Sequence, residues 1–258
     1  MARERTVVRG IVLRAVDTKE SDKILTVLTD QGKLPVVAKG ARGRRSRVAA
    51  CTQLLAYSEM VLSENRGWQY LSEGNTIELF MEVRRDIGAL SLASYFAELT
   101  EAVALEEGGE ELLRLLLNAL YALGNLDRPQ EQIKAVFELK LMALAGFEPL
   151  ADGCAYCGRP SPESPVLDVR NGVVRCKACG KGEKGLGMPL TAGALAALRW
   201  ALYGEAKRLY SFSLEPGDLR KLGEAAEAYV HAMLERGFRT LDFYKSLAGN
   251  AGETKFPD

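Results

Sequence analysis

Two pairs of cysteines, Cys154/Cys157 and Cys176/Cys179, stand 18 residues apart in a chain of 258, and nothing else in the sequence narrows the fold as much. Two residues between cysteines let both sulfurs turn toward one point, and two such knuckles supply four thiolates for a tetrahedral Zn²⁺ at a usual separation. Gly158 and Gly180 follow the second cysteine of each pair, where tight turns need a permissive backbone. Disulfides are disfavoured because the basic N-terminus "MARERTVVRG" lacks the apolar run of an export signal. A thioredoxin-like pair would need a βαβ setting, which "CGRP" and "CGKG" lack. An iron–sulfur cluster would be unusually spaced. Zinc is the favoured ligand, with these as alternatives.

Such a zinc reads as structural. Catalytic sites keep an open position and commonly use histidine and a carboxylate. The single histidine, His231, lies mid-helix in "AEAYVHAMLE", and no H-x-E motif of zinc deaminases is present. Residues 154–188 carry six Lys/Arg against three Asp/Glu. A tetrathiolate zinc centre adds two negative charges, which favours a folding staple over a nucleic-acid contact. The fifth cysteine, Cys51, sits in apolar "VAACTQLLAY" and reads as a small core residue.

Net charge is zero overall, but residues 1–50 hold twelve Lys/Arg against five Asp/Glu, and the remainder 22 against 29. A basic first fifth on an acidic chain suggests a polyanion-facing module joined to something with another task. The sharpest part is "AKGARGRRSR" (38–47), where Lys39, Arg42, Arg44, Arg45 and Arg47 fall among glycines without an acid. No apolar run reaches the roughly 18 residues of a membrane span, so a cytoplasmic protein is the default.

The first 80 residues read as β: "TVVRGIVLRAV" (6–16), "KILTVLT" (23–29), "KLPVVAKG" after a "DQG" turn, "TQLLAYSEMVL" (52–62) and "WQYLSEG" (68–74). Five short strands suit a small barrel; a five-stranded OB-fold leads, with an SH3-like barrel as competitor. OB-folds hold single strands through a positive groove and aromatic platforms. Trp68 and Tyr70 are the candidate platforms, with Tyr57 as a further aromatic and a core role as the alternative for each, and Arg14 and Lys33 extend the cationic set. An Arg/Gly loop reaches phosphates of any sequence, with the two glycines as its flexibility, so the expected binding is salt-sensitive and largely non-specific.

From about residue 84 the apolar period becomes helical, in "DIGALSLASYFAELTEAVALEE", "GEELLRLLLNALYALGNL" and "RPQEQIKAVFELKLMALAGF". It returns in "TAGALAALRWALYG" (191–204), with Thr191 as N-cap, and in "PGDLRKLGEAAEAYVHAMLERG" (216–237). The expected organisation is multi-domain α+β: an OB-fold nucleic-acid-binding domain at 1–82, helices at 83–150, an inserted zinc module at 151–189, helices at 190–247 and a disordered tail at 248–258. Glu98 to Glu111 holds six acids and no base, a face that should avoid phosphates. Phosphate-binding glycine motifs, a nucleophile elbow and H-E-x-x-H are absent, and "GEKGLG" (182–187) lacks the P-loop order. One histidine leaves little room for Ser/His/Asp or Cys/His catalysis. Asp17, Glu20 and Asp22 read as solvated turn residues rather than a Mg²⁺ site. No enzyme is expected.

The stretch "GIVLRAVDTKESDKILTVLTDQGKLPVVAKGARGRRSR" (10–47), the helices after residue 84, and the pairs "CAYC" and "CKAC" together resemble the RecO family, bacterial recombination mediators of the RecF pathway. The turn Glu20-Ser21-Asp22 and Lys39-Gly40-Ala41-Arg42 are the most typical stretches. The resemblance implies an N-terminal OB-fold, a helical body and a four-cysteine zinc site. It implies binding of single- and double-stranded DNA, annealing of complementary strands, and help in loading RecA onto strands coated by single-strand-binding protein. Implied partners are RecR and the acidic C-terminal tail of single-strand-binding protein, docked on the helical body, with Arg199 and Lys207 as candidate contacts. The implied location is the bacterial cytoplasm, at the nucleoid. An RNA-binding or ribosome-associated adaptor built on the same modules is the alternative, with a nucleic-acid hydrolase a weaker third.

Overall fold

The computed structural model describes residues 5–180 and 186–250, with side chains described as far as residue 247. The chain divides into two compact units, one of residues up to Gly124 plus those from Phe238, the other of Asn125–Gly237.

The first unit opens with five strands, β1 (Arg5–Thr18), β2 (Asp22–Thr29), β3 (Lys33–Ala38), β4 (Tyr57–Asn65) and β5 (Trp68–Glu78). They close a barrel in the order β1-β2-β3-β5-β4, with β3 and β5 parallel. That closure is the OB topology and removes the SH3-like alternative. β1 is long enough to pair with β4 through Arg5–Ile11 and with β2 through Gly10–Thr18. An irregularity between Val12 and Arg14 lets the strand bend around the barrel. Val12, Leu25, Val27, Val36, Met60 and Leu62 fill the interior, each contributing about 1.5–3 kcal/mol by leaving water.

The expected strand at 52–62 begins only at Tyr57. Residues 39–56 instead form successive turns. The Cys51 thiol donates to the Val48 carbonyl, the Thr52 hydroxyl donates to the Ala49 carbonyl, and Leu55 adopts φ +64°. Ala41, Val48 and Cys51 of this segment pack into the barrel core, Leu55 and Ala56 are buried, and the stretch does not alternate across a sheet; Cys51 is buried as expected. Burial raises its pKa, outweighing a backbone hydrogen bond.

Four helices complete this unit: α1 (Met81–Arg85), α2 (Ile87–Val103), α3 (Glu110–Asn125) and, labelled in chain order, α7 (Arg239–Asn250). Asp86 caps α2 by accepting from the Ala89 N–H at 2.6 Å. The sequence periodicity does not reveal α1, and α7 runs into the stretch expected as tail; residues 251–258 of that tail lie outside the described residues. Tyr95 of α2 meets Phe238 edge-on at 5.6 Å between ring centres, and the Thr240 hydroxyl donates to Glu98. The barrel is fastened to the helices at the β2–β3 turn, where the Lys33 N–H donates to the Leu105 carbonyl at 2.7 Å.

The second unit contains α4 (Gln130–Leu144), a three-stranded sheet of β6 (Pro165–Asp168), β7 (Val173–Cys176) and β8 (Gly187–Pro189), then α5 (Ala192–Tyr203) and α6 (Pro216–Leu234). The sheet order is β7-β6-β8. Thr191 caps α5 through the Ala194 N–H at 3.0 Å. Helix α4 is buried on nearly all sides, and its Lys134 lies between Glu138 at 2.9 Å and Glu227 of α6 at 3.0 Å. Burial pulls the Lys134 pKa down, but the two carboxylates more than offset it and hold it above its usual value. Among the described residues, no helix is long and apolar enough to cross a membrane.

Candidate metal centre and nucleic-acid interface

The four cysteines converge as their spacing requires. Cys154 and Cys157 lie on one turn, Cys176 ends β7, and Cys179 lies on the turn beyond it. All four Sγ atoms lie within 4.8 Å of one another, with Cys157 and Cys176 4.0 Å apart. A tetrahedral zinc with bonds of about 2.3 Å sets its sulfurs about 3.8 Å apart, so the cluster fits with slight contraction. The knuckle backbone supports it: the Gly158 N–H donates to the Cys154 carbonyl at 2.9 Å, and the Cys176 N–H donates to the Cys154 sulfur at 3.3 Å.

The electrostatics also call for a cation. At Cys154, burial raises the pKa, but N–H donors from Cys176, Cys157 and Tyr156 outweigh it and bring the thiol down to about 6. Cys179 is pushed up to about 12, first by hydrogen bonding to Cys157, then by burial and by its neighbours' charge. Four thiolates this close repel one another, and all four ionise together only around a metal ion. Cys154 and Cys176 are buried, while Cys157 and Cys179 face solvent.

The basic stretch occupies the β3–β4 connection, and its shape comes from the β1–β2 turn. The Asp22 carboxylate accepts from the Gly40 N–H at 2.8 Å, the Ser21 carbonyl accepts from the Arg42 N–H at 3.0 Å, and Asp17 pairs with the Arg42 guanidinium at 3.3 Å. Asp17 and Asp22 are thus working groups of the loop. Gly40 is there for its φ of +63° and the loop is pinned, in contrast to the flexible linker expected from its glycines. Lys39, Arg42, Arg44, Arg45 and Arg47 are all exposed. Among the described residues, Arg44, Arg45 and Arg47 make no ion pair within the 4.0 Å limit for a salt bridge.

Lys39 places its Nζ 4.9 Å from the centre of the Tyr70 ring, a cation–π contact. Tyr70 neighbours Val37 through the parallel β3–β5 pairing, Val37 faces Ile24, and Ile24 faces Val16. Val16, Ile24, Val37 and Tyr70 therefore form one apolar row on the barrel's outer surface, with Val16 40% and Ile24 38% exposed. Trp68, 48% exposed, opens the same strand as Tyr70. Tyr57 lies at the opposite end of β4 from the residue that pairs with Tyr70.

Arg14 and Lys33 are placed elsewhere. Glu101 of α2 lies 3.7 Å from the Arg14 guanidinium and accepts from the Thr26 hydroxyl, while the Lys33 ammonium donates to the Glu101 carbonyl. Both cations serve the seam between barrel and α2. Within the expected acidic face, Glu98 and Glu101 are engaged inside the unit, and Glu106, Glu107, Glu110 and Glu111 are exposed. Arg199 donates to the carbonyls of Ala151, Asp152 and Pro160, fixing the cysteine segment to α5. Lys207 is exposed on a short 3-10 turn. The His231 Nδ1–H donates to the Arg236 carbonyl at 3.0 Å, just beyond the end of α6. Residues 182–185 of "GEKGLG" lie outside the described residues.

A closed OB barrel with a pinned cationic loop, joined to helices and a four-thiol ribbon, defines a two-unit protein of the OB-fold class with a four-cysteine ribbon able to hold a metal ion. The chain belongs to the RecO family. The family profile "Recombination protein O N terminal" matches residues 1–80, and "Recombination protein O C terminal" matches 84–242. The protein described as DNA repair protein RecO of Acetivibrio thermocellus is 34% identical over 240 residues, 92% of this chain and 95% of its own. Its counterpart in Symbiobacterium thermophilum is 33% identical over 249 residues, covering 93% and 96%. That of Anaeromyxobacter dehalogenans is 34% identical over 238 residues, covering 90% and 93%. The family places the chain in DNA repair and recombination.

Proposed function

We propose that this chain is a non-enzymatic DNA-binding mediator of the RecF pathway. It holds single- and double-stranded DNA largely without sequence preference, anneals complementary strands and assists RecA onto strands coated by single-strand-binding protein. One observation carries this: Arg44, Arg45 and Arg47 stand exposed in the loop that begins at Lys39, whose ammonium meets Tyr70 at the end of the open row Val16–Ile24–Val37. Cations at the rim and flat apolar groups on the face are what a strand's phosphates and bases respectively seek. Annealing then needs no catalytic group, because a positive surface lowers the repulsion between two strands while modest per-phosphate contacts leave them mobile.

In this proposal residues 1–82 bind nucleic acid through Lys39, Arg42, Arg44, Arg45, Arg47, Trp68 and Tyr70, while Arg14 and Lys33, engaged with Glu101, contribute only from the seam with α2. Residues 83–150 and 190–247 form the helical body. It receives RecR and the acidic tail of single-strand-binding protein, with Lys207 a better-placed contact than the occupied Arg199. The module at 151–189 is stapled by one Zn²⁺ on Cys154, Cys157, Cys176 and Cys179. The protein works in the cytoplasm, at the nucleoid.

Annealing of complementary DNA oligonucleotides, comparing the native chain with a variant carrying Ala at the five loop cations, tests the proposal. The variant should lose most binding and annealing at low salt. Equal annealing by the two proteins would overturn the loop assignment, and preference for structured RNA over single-stranded DNA would favour an RNA adaptor.

A further inference from the structure

The ribbon holds a buried ion pair that the four-ligand description leaves out. Asp168 ends β6 and is fully buried, while Arg175, on β7 immediately before the ligand Cys176, is 7% exposed. Their charged groups lie 3.7 Å apart. Asp168 is itself held rigidly, accepting from the Arg170 N–H at 3.2 Å, the Asn171 N–H at 3.1 Å and the Asn171 side-chain amide at 3.1 Å. A buried charge pair costs several kcal/mol per ion in lost hydration, and removing one partner leaves the other uncompensated.

The pair's reach is visible at Gly180, the residue after the ligand Cys179. A Cβ built on Gly180 would fall 1.9 Å from the Arg175 Nη1 and 2.2 Å from its Cζ. The guanidinium therefore lies flat on the backbone of the second knuckle, within reach of both Cys176 and Cys179 along the chain. A Cβ on Gly187, at the start of β8, would lie 3.2 Å from the Arg175 Nη2. A flexible arginine could move aside for a new methyl group, but this one is tethered to Asp168 and enclosed.

We propose that Arg175, tethered by Asp168, is a positioning residue for the metal centre: it holds the Cys176–Gly180 turn in its metal-binding shape. Outer groups that orient metal ligands typically contribute 10–100-fold in affinity. Metal affinity of this chain thus depends on a pair of residues that touch no metal.

The test uses the full chain and zinc alone, by competition with a chromophoric chelator, with Co²⁺ loading as a spectroscopic readout. Arg175→Gln and Asp168→Asn should each weaken zinc binding about 10–100-fold and alter the visible Co²⁺ bands of the tetrathiolate site. Arg175→Lys keeps a cation for Asp168 and should recover part of the affinity, but not the native Co²⁺ spectrum, because an ammonium cannot lie flat on Gly180. Gly180→Ala keeps all charges and cysteines and should shift the spectrum in the same direction; it decides the case if Arg175→Gln does not fold. Arg170→Gln, on the same hairpin, is the control and should behave as the native chain. Native zinc affinity and an unchanged Co²⁺ spectrum in Arg175→Gln, or in Gly180→Ala where it must decide, would overturn the proposal.

Discussion

Gly32 and Gly109 meet where the β2–β3 turn lies against the loop between α2 and α3. A Cβ on Gly109 would fall 2.1 Å from the Thr29 carbonyl oxygen and 2.8 Å from the Gly32 nitrogen, and one on Gly32 would fall 2.2 Å from the Glu106 carbonyl oxygen. Both obstacles are backbone, which cannot step aside as a side chain tip can. Gly109→Ala should therefore separate the barrel from the helices locally and cost about 1–3 kcal/mol, the usual range for overpacking. At this chain length that is a fall in melting temperature of about 2–12 °C. A melting temperature equal to the native protein's would show that the seam is slack.

The loop cations make unequal contributions. Arg42 already has Asp17 at 3.3 Å, so a phosphate must compete with a carboxylate there. Replacing Arg44, Arg45 and Arg47 by Ala should lower the slope of log K against log salt for single-stranded DNA by about 2, at about 0.7 per phosphate. Arg42→Ala alone should change it by less than any of the other three, and Asp17→Asn should tighten binding at low salt. Fluorescence anisotropy across a salt series reads all of these. An unchanged slope in the triple variant would place the phosphates elsewhere.

What the sequence made legible follows from the range of the interactions. The zinc-type cluster is written in local spacing, and the OB strands show as local apolar runs, so both are recoverable without coordinates. The start of the expected strand at 52–62 differs from the observed Tyr57 because Cys51, Leu55 and Ala56 carry the same apolar signal whether they are buried in turns or line a strand. Arg14 and Lys33 carry the same charge as Arg44, and only contact with Glu101, over 60 residues away along the chain, distinguishes their surroundings. Asp17 and Asp22 gave a signal in hindsight: acids flanking one turn, within reach of a cationic loop. The strands β6 to β8 are three or four residues long, too short to show any period.

Lys134 ties α4 to α6 through Glu138 and Glu227. Lys134→Met leaves Glu138, fully buried, without its adjacent cation, and such breakage typically costs about 3–5 kcal/mol. Lys134→Met combined with Glu138→Leu should recover most of that, since an apolar pair of similar volume replaces the charges. The native Lys134 pKa is raised in the folded state, so its stabilising contribution is fully present below the ordinary lysine pKa of 10.5 and is lost as pH rises through the higher folded value. Chemical denaturation at neutral and strongly alkaline pH checks both claims. A double variant no more stable than Lys134→Met would mean that Glu138 has other work in the core.

Removal of the metal should unfold the cysteine segment more than the barrel. The segment's sheet has strands of three to four residues, and short sheets without a substantial apolar face rarely hold alone. Its thiol cluster carries mutual repulsion once the cation leaves. A strong chelator should therefore lower the melting temperature and open the amides of Cys154–Cys179 to hydrogen exchange, while amides of β2 and β3, inside a barrel with its own apolar core, keep their protection. Zinc should be found at about one equivalent per chain in protein purified without chelator, and replacing any one cysteine by serine should leave well under half that. Of the four, Cys154→Ser should be the most damaging. Its sulfur is one of the four converging thiols and also accepts the Cys176 N–H at 3.3 Å, so the change would remove one metal ligand and loosen a second. Hydrogen exchange that rises equally in barrel and ribbon on chelation would show instead that the metal holds the whole chain together, and a chain that melts identically with and without zinc would remove the staple from the account.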